Sequence, residues 1–152
     1  MKPLIVLLLS FILSTFAIRI IKAEYEFALS ARIAMAIMLV FTAIGHFVFT
    51  KGMSMMIPDF IPFKERFVYL TGVFEILLAV GLLIPQLKVL SGWALILFLL
   101  LMLPANIYAS INNVNYQQGT FDGHGMMYLW FRIPLQVLFI TWTYLSAIRM
   151  PW

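Results

Sequence analysis

Phe67-Val-Tyr-Leu-Thr-Gly-Val-Phe-Glu75-Ile-Leu-Leu-Ala-Val-Gly-Leu-Leu-Ile-Pro85 carries one charged side chain, Glu75, close to its centre. Nineteen such residues rise about 28 Å as a helix, the thickness of a bilayer's hydrocarbon core. The stretch therefore reads as a membrane span, and it decides the fold class. A carboxylate at mid-span costs several kcal/mol unless it is paired or neutralised, so Glu75 needs partners elsewhere in the chain.

The composition extends the membrane reading to the whole molecule. Of 152 residues, 64% are hydrophobic and 11% charged, against about 45–50% and about 25% in ordinary soluble domains. The mean hydropathy is +1.03. The length suits one helical bundle with no separate soluble domain. The net charge of +4 comes from Lys and Arg scattered beside apolar segments, which fits anionic lipid headgroups and gives no basic tract for nucleic acid. With no cysteine, the chain has neither disulfides nor thiolate ligands nor a thiol nucleophile.

Four more apolar segments flank the opening one. Residues 3–21 have the charged start and apolar run of a signal peptide, but Thr15-Phe16-Ala17 is a poor cleavage site, and a transmembrane helix with Arg19 and Lys22 reaching the interface is expected. Helices are expected over about 31–50, 67–85, 87–110 and 126–148. Residues 51–66 contain Pro58 and Pro62, which forbid a regular helix, and the apolar Met55, Met56, Ile57, Phe60, Ile61 and Phe63. This connection is expected to lie along the membrane surface as a lid. Asn112 to Gly125 has the Asn, Gly and Asp content of an exposed loop. Tyr25, Trp93, Tyr108, Tyr128, Trp130 and Trp152 fall near segment ends, as an aromatic belt would. The predicted fold is an all-α membrane bundle of five helices in a single domain, 1–152.

Five spans alternate in direction, so one membrane face, side A, receives the N-terminus, the Pro-rich connection and the Asn/Gly loop. His46, Asn106, Arg132 and Gln136 then lie in the half of the bilayer facing side A, with Glu75 at mid-depth. Arg19, Arg32, Lys88 and Arg149 are expected within snorkelling reach of side B. Arg132 and Gln136 are four apart and share a helix face. A guanidinium fork suits a carboxylate, so Glu75 with Arg132 is the expected pair. A ligand site of His46, Glu75, Asn106, Arg132 and Gln136 is one reading, and polar residues that only hold helices together are the other.

The same residues exclude or disfavour several chemistries. A haem held by two histidines is disfavoured, because His124, the second histidine, sits in a loop. Met53, Met55, Met56, Met126 and Met127, with His46 and His124, are soft donors of the kind copper(I) takes, but a Met-rich interfacial surface is the simpler account. No metal is expected. Phosphate loops, zinc motifs and a Ser-His-Asp order are missing from the sequence.

Gly45-His46-Phe47, Met56-Ile-Pro-Asp-Phe-Ile-Pro62, Leu70-Thr-Gly-Val-Phe-Glu75, Gly81-Leu-Leu-Ile-Pro85, Pro104-Ala-Asn106 and Arg132-Ile-Pro-Leu-Gln136 together resemble the DoxX/DoxD-like family of small bacterial membrane proteins. The resemblance spans about residues 31 to 148. It implies a four-helix core with residues 3–21 as an added helix, a multi-pass place in the bacterial cytoplasmic (inner) membrane, and association with a redox system. Some members of that family are subunits of a thiosulfate-oxidising, quinone-reducing complex, whereas the lack of cysteine here speaks against direct sulfur handling.

The expected function is a subunit that binds a lipophilic molecule such as a quinone in the side A pocket. Membrane lipids and protein partners in a membrane complex are its expected company. Whether the chain itself catalyses a reaction stays open. The alternatives are a non-catalytic scaffold subunit and a small transporter, the latter disfavoured because the polar residues stop at mid-depth. Four cationic residues near side A against five near side B slightly favour side B as cytoplasmic.

Overall fold

The computed structural model describes residues 2–115, 119–123 and 125–149, apart from the side chains of Met126 and Tyr128. The expectations for His124, Met126, Tyr128 and Trp152 lie outside what is described. Six α-helices follow in order: α1 (Lys2–Lys22), α2 (Phe27–Val48), the short α3 (Thr50–Ser54), α4 (Lys64–Leu83), α5 (Lys88–Ile111) and α6 (Met126–Thr143), which continues into a π-helical turn, Tyr144–Arg149. Five of these elements are long and apolar enough to cross a membrane. The protein is an all-α, multi-pass membrane protein, as the composition requires.

Local chemistry sets the boundaries. Ala23 adopts a left-handed backbone, φ 59°, just past the end of α1, the conformation that commonly terminates a helix, and the Arg19 guanidinium donates to its carbonyl. The chain then turns quickly, so α2 begins at Phe27, four residues earlier than expected. Pro62 and the left-handed Phe63, φ 57°, release the chain from the connection into α4 at Lys64. Pro104 and Pro134 lie inside α5 and α6 without breaking either. Transmembrane helices tolerate proline because neighbouring groups satisfy the freed carbonyl.

Each helix packs against its successor, and α6 with its π-helical turn returns to α2. The ring α2, α4, α5, α6 is closed by the Trp142 indole, which donates to the Ala31 carbonyl at 3.0 Å. The α1 helix packs on α2 from outside this ring, burying Leu7 completely and placing Phe11 edge-on to Trp142, 5.1 Å between centroids. Met35, Leu39, Leu78, Leu82, Leu95 and Phe139 fill the centre. Leu13, Leu70, Leu77, Leu90 and Val137 stay exposed, which in a bilayer places them against acyl chains as apolar as themselves.

One expectation is corrected at the side B end. Arg32 and Lys88 are buried, 5% and 8% exposed, instead of snorkelling, and Ser30, Ser91, Thr143 and Ser146 are buried with them. Helices α4 and α5 meet closely there: a Cβ on Gly81 would overlap the Ser91 hydroxyl. Buried polar groups therefore occupy both halves of the bundle, and the asymmetry read from the sequence holds only for those around the cavity described next.

Candidate functional site

A cavity of about 400 Å³ lies inside the helical ring. Its walls come from α2 (Leu39, Thr42, Gly45, His46), α4 (Val68, Thr71, Glu75), α5 (Leu99, Asn106) and α6 (Arg132, Phe139). Met53, Met56 and Ile57 of α3 and the connection border its side A end, with Lys2 and Pro3 at the start of α1. None of the buried polar residues of the side B end lines it. Four of the five residues singled out in the sequence, His46, Glu75, Asn106 and Arg132, share this one cavity.

Glu75 is 6% exposed, and its partner differs from the one expected. His46 Nε2 stands 3.3 Å from Glu75 Oε2, whereas no ion pair joins Glu75 to Arg132 among the described residues. The reason is helix adjacency. His46 and Glu75 lie on α2 and α4, the most extensively packed pair in the bundle, and Gly72 brings their backbones together: a Cβ there would meet His46 Cβ at 2.9 Å. Arg132 sits on α6, across the ring from α4.

Two threonines that the sequence reading passed over complete the group. Thr42 Oγ1 lies 3.3 Å from both carboxyl oxygens of Glu75. Thr71 Oγ1 donates to the Val68 carbonyl at 2.8 Å and lies 3.0 Å from His46 Nδ1. Each threonine precedes a predicted site residue by four positions, Thr42 before His46 and Thr71 before Glu75, so each lies one turn away on the same helix face. That spacing was the available signal.

The contacts constrain the protons around His46. Its Nδ1 also faces the Val68 carbonyl at 3.2 Å, which can only accept. With the Thr71 hydrogen on that carbonyl Nδ1 donates, and with it turned to Nδ1 the ring hydrogen lies on Nε2. In either arrangement a proton between Nε2 and Glu75 makes their 3.3 Å contact attractive.

Arg132 makes no direct contact of this kind, although its charge acts on Glu75 across the cavity. Its guanidinium makes no hydrogen bond or ion pair with any described residue, and its Nε is buried and unsatisfied. Asn106 is 4% exposed, and Ser110 Oγ donates to its carbonyl at 3.0 Å. Gln136 stands apart from the other four: it does not line the cavity, and its amide donates to the Leu99 carbonyl, tying α6 to α5. Of the methionines considered for copper, Met53 and Met56 border the cavity and Met127 is 76% exposed. No cluster of three or more His, Cys, Asp or Glu suited to a metal occurs among the described residues.

No curated protein and no solved structure matches the chain. A family model, described as Domain of unknown function (DUF8561), matches residues 35–147, which run from within α2 to the π-helical turn and include all five predicted site residues. The match leaves α1 outside and takes in the helical ring that encloses the cavity, so the chain belongs to that family.

Proposed function

We propose that this protein is a subunit of a bacterial cytoplasmic-membrane redox system that binds the polar head of a lipophilic molecule, a quinone, in the cavity of the helical ring. One observation carries the reading: a guanidinium whose Nε has no hydrogen-bond partner lines the same cavity as a histidine 3.3 Å from a buried carboxyl. An ionisable side chain inside a bilayer span is costly and marks a candidate functional position. A ligand carbonyl can accept from Arg132, while a proton between His46 and Glu75 offers a donor to a second oxygen. The size fits as well, since small-molecule pockets run from about 300 to 1,000 Å³ and combine apolar walls with a few polar groups. The redox association rests on the resemblance to the DoxX/DoxD-like family, and the cavity chemistry is compatible with it.

A scaffold reading is favoured by Gln136, whose bond to Leu99 only joins helices. It does not explain why Arg132 lines the cavity with its Nε unsatisfied. The test is calorimetric titration of the protein in lipid nanodiscs with a tail-less methoxy-substituted benzoquinone. Binding by the wild type that is lost in both Glu75→Gln and Arg132→Leu supports the proposal. No binding by the wild type, or equal binding by all three, overturns it.

A further inference from the structure

A second, almost wholly apolar hollow of about 590 Å³ lies beside the first, between α4 and α5. Leu70, Val73, Phe74 and Leu77 line it from α4, and Leu101 and Pro104 from α5, with Pro58, Phe60 and Ile61 of the connection above. Leu70, Leu77 and Leu101 are each more than 60% exposed, so the hollow is a groove open sideways to lipid. The two spaces share Ile57, Phe67, Thr71, Phe98, Met102 and Ala105 as common wall. Thr71, the hydroxyl that meets His46 Nδ1, belongs to both.

From this adjoining pair we infer that the α4–α5 groove holds the hydrocarbon chain of the molecule whose head occupies the central cavity, and that the molecule arrives sideways from the membrane beneath the Pro58–Phe63 connection. The inference rests on the binding reading given above. The occupant is a single-chain amphiphile, because one groove leads from one head cavity. The chemistry divides in the same way: His46, Glu75 and Arg132 line the cavity, whereas among the described residues of the groove lining only Thr71 is polar. An extended chain leaving the head site through the shared wall would exchange contact with bilayer lipid for contact with Leu70, Val73, Phe74, Leu77 and Leu101, which costs little because both surroundings are apolar. Pro58 and Pro62 leave the connection without a regular helix there, so the roof can shift without breaking a hydrogen-bond ladder.

The test uses a benzoquinone bearing a decyl chain with a diazirine at its far end, photolysed with the full-length protein in nanodiscs and mapped by tandem mass spectrometry. Adducts concentrated on the groove faces of α4 and α5, displaced by excess tail-less ring and lost in Leu77→Trp, are the expected result. Leu77 is lipid-exposed and lines no part of the head cavity, so this variant is expected to fold and to keep binding the tail-less ring. Adducts spread evenly over lipid-facing positions such as Val137 and Leu13 overturn the inference, as do groove adducts that survive Leu77→Trp. Failure of the binding reading shows separately, as absence of any titration with the tail-less ring. Retained ring binding with evenly spread adducts removes the lateral route alone.

Discussion

Arg132 and Gln136 lie one turn apart on α6, both looked equally polar in the sequence, and the structure gives them different situations. Gln136 spends its amide nitrogen on the Leu99 carbonyl and holds two helices together although its Oε1 is buried without a partner, while Arg132 lines the cavity with its Nε unsatisfied. Their removal should therefore separate helix packing from ligand binding. Gln136→Leu loses an interhelical hydrogen bond worth about 0.6 kcal/mol in membranes, lowering the thermal midpoint modestly and leaving ligand titration unchanged. Arg132→Leu removes a half-buried charge that makes no hydrogen bond at Nε and acts on Glu75 without touching it, so the midpoint should change little while titration disappears. Thermal unfolding in detergent checks both, and a midpoint that falls sharply for Arg132→Leu would show a structural partner for it. At this scale the shared cavity of His46, Glu75, Asn106 and Arg132 was legible, because a charged or amide side chain is rare in a membrane span and stands out. The partnership was not legible: the matching of guanidinium to carboxylate favours Arg132, but which helices touch is decided by packing, and the weak polarity of Thr42 and Thr71 hid them among apolar neighbours.

At the scale of the helices, the site depends on how closely α2 approaches α4. Gly72 makes that approach possible, since its missing Cβ is where His46 Cβ comes, at 2.9 Å. A small residue at a helix crossing allows the close packing that drives association in lipid. Gly72→Ala should push α2 and α4 apart by a few tenths of an ångström or more, lengthening the 3.3 Å contact between His46 and Glu75. The expected outcome is a loss of about 1–2 kcal/mol of stability together with weakened ligand binding, read from thermal midpoint and titration on the same samples. Stability lost with binding untouched would show that the His46–Glu75 contact is not needed by the ligand. Gly45 makes the informative comparison: a Cβ there meets Met53 Cε at 3.5 Å, ordinary contact with a flexible tip, so Gly45→Ala should be tolerated. The number and type of the spans were readable because apolar length is nearly sufficient to define one, whereas their ends shifted by a few residues. Ala23 and Phe63 set two of those ends through left-handed backbone that neither residue type advertises, and the buried Arg32 and Lys88 show that proximity to a boundary does not guarantee a side chain that reaches it.

Across the whole molecule, the family match begins at residue 35 and leaves α1 outside, yet α1 is packed as part of the bundle. Leu7 is fully buried, Phe11 meets Trp142, and Lys2 and Pro3 border the cavity at side A. The four-helix ring closes without α1, through Trp142 and Ala31, so the ring should survive its removal. A chain lacking residues 1–24, produced in the same membrane, is expected to keep the helical circular dichroism of four spans and to lose affinity for the tail-less ring by about tenfold, the equivalent of about 1.4 kcal/mol, because one wall of the mouth is gone. The truncation also removes one crossing, so the new N-terminus starts on side B. The cationic residues that remain on α2, α5 and the π-helical turn, Arg32, Lys88 and Arg149, are all at side B, against Lys51, Lys64 and Arg66 at side A. With the balance now even, orientation should become mixed, and single cysteines placed in this cysteine-free chain at Asp59 and Glu26 would read it by labelling from either side. A truncated chain of uniform orientation with unchanged affinity would show that α1 neither walls the cavity nor sets the direction of insertion.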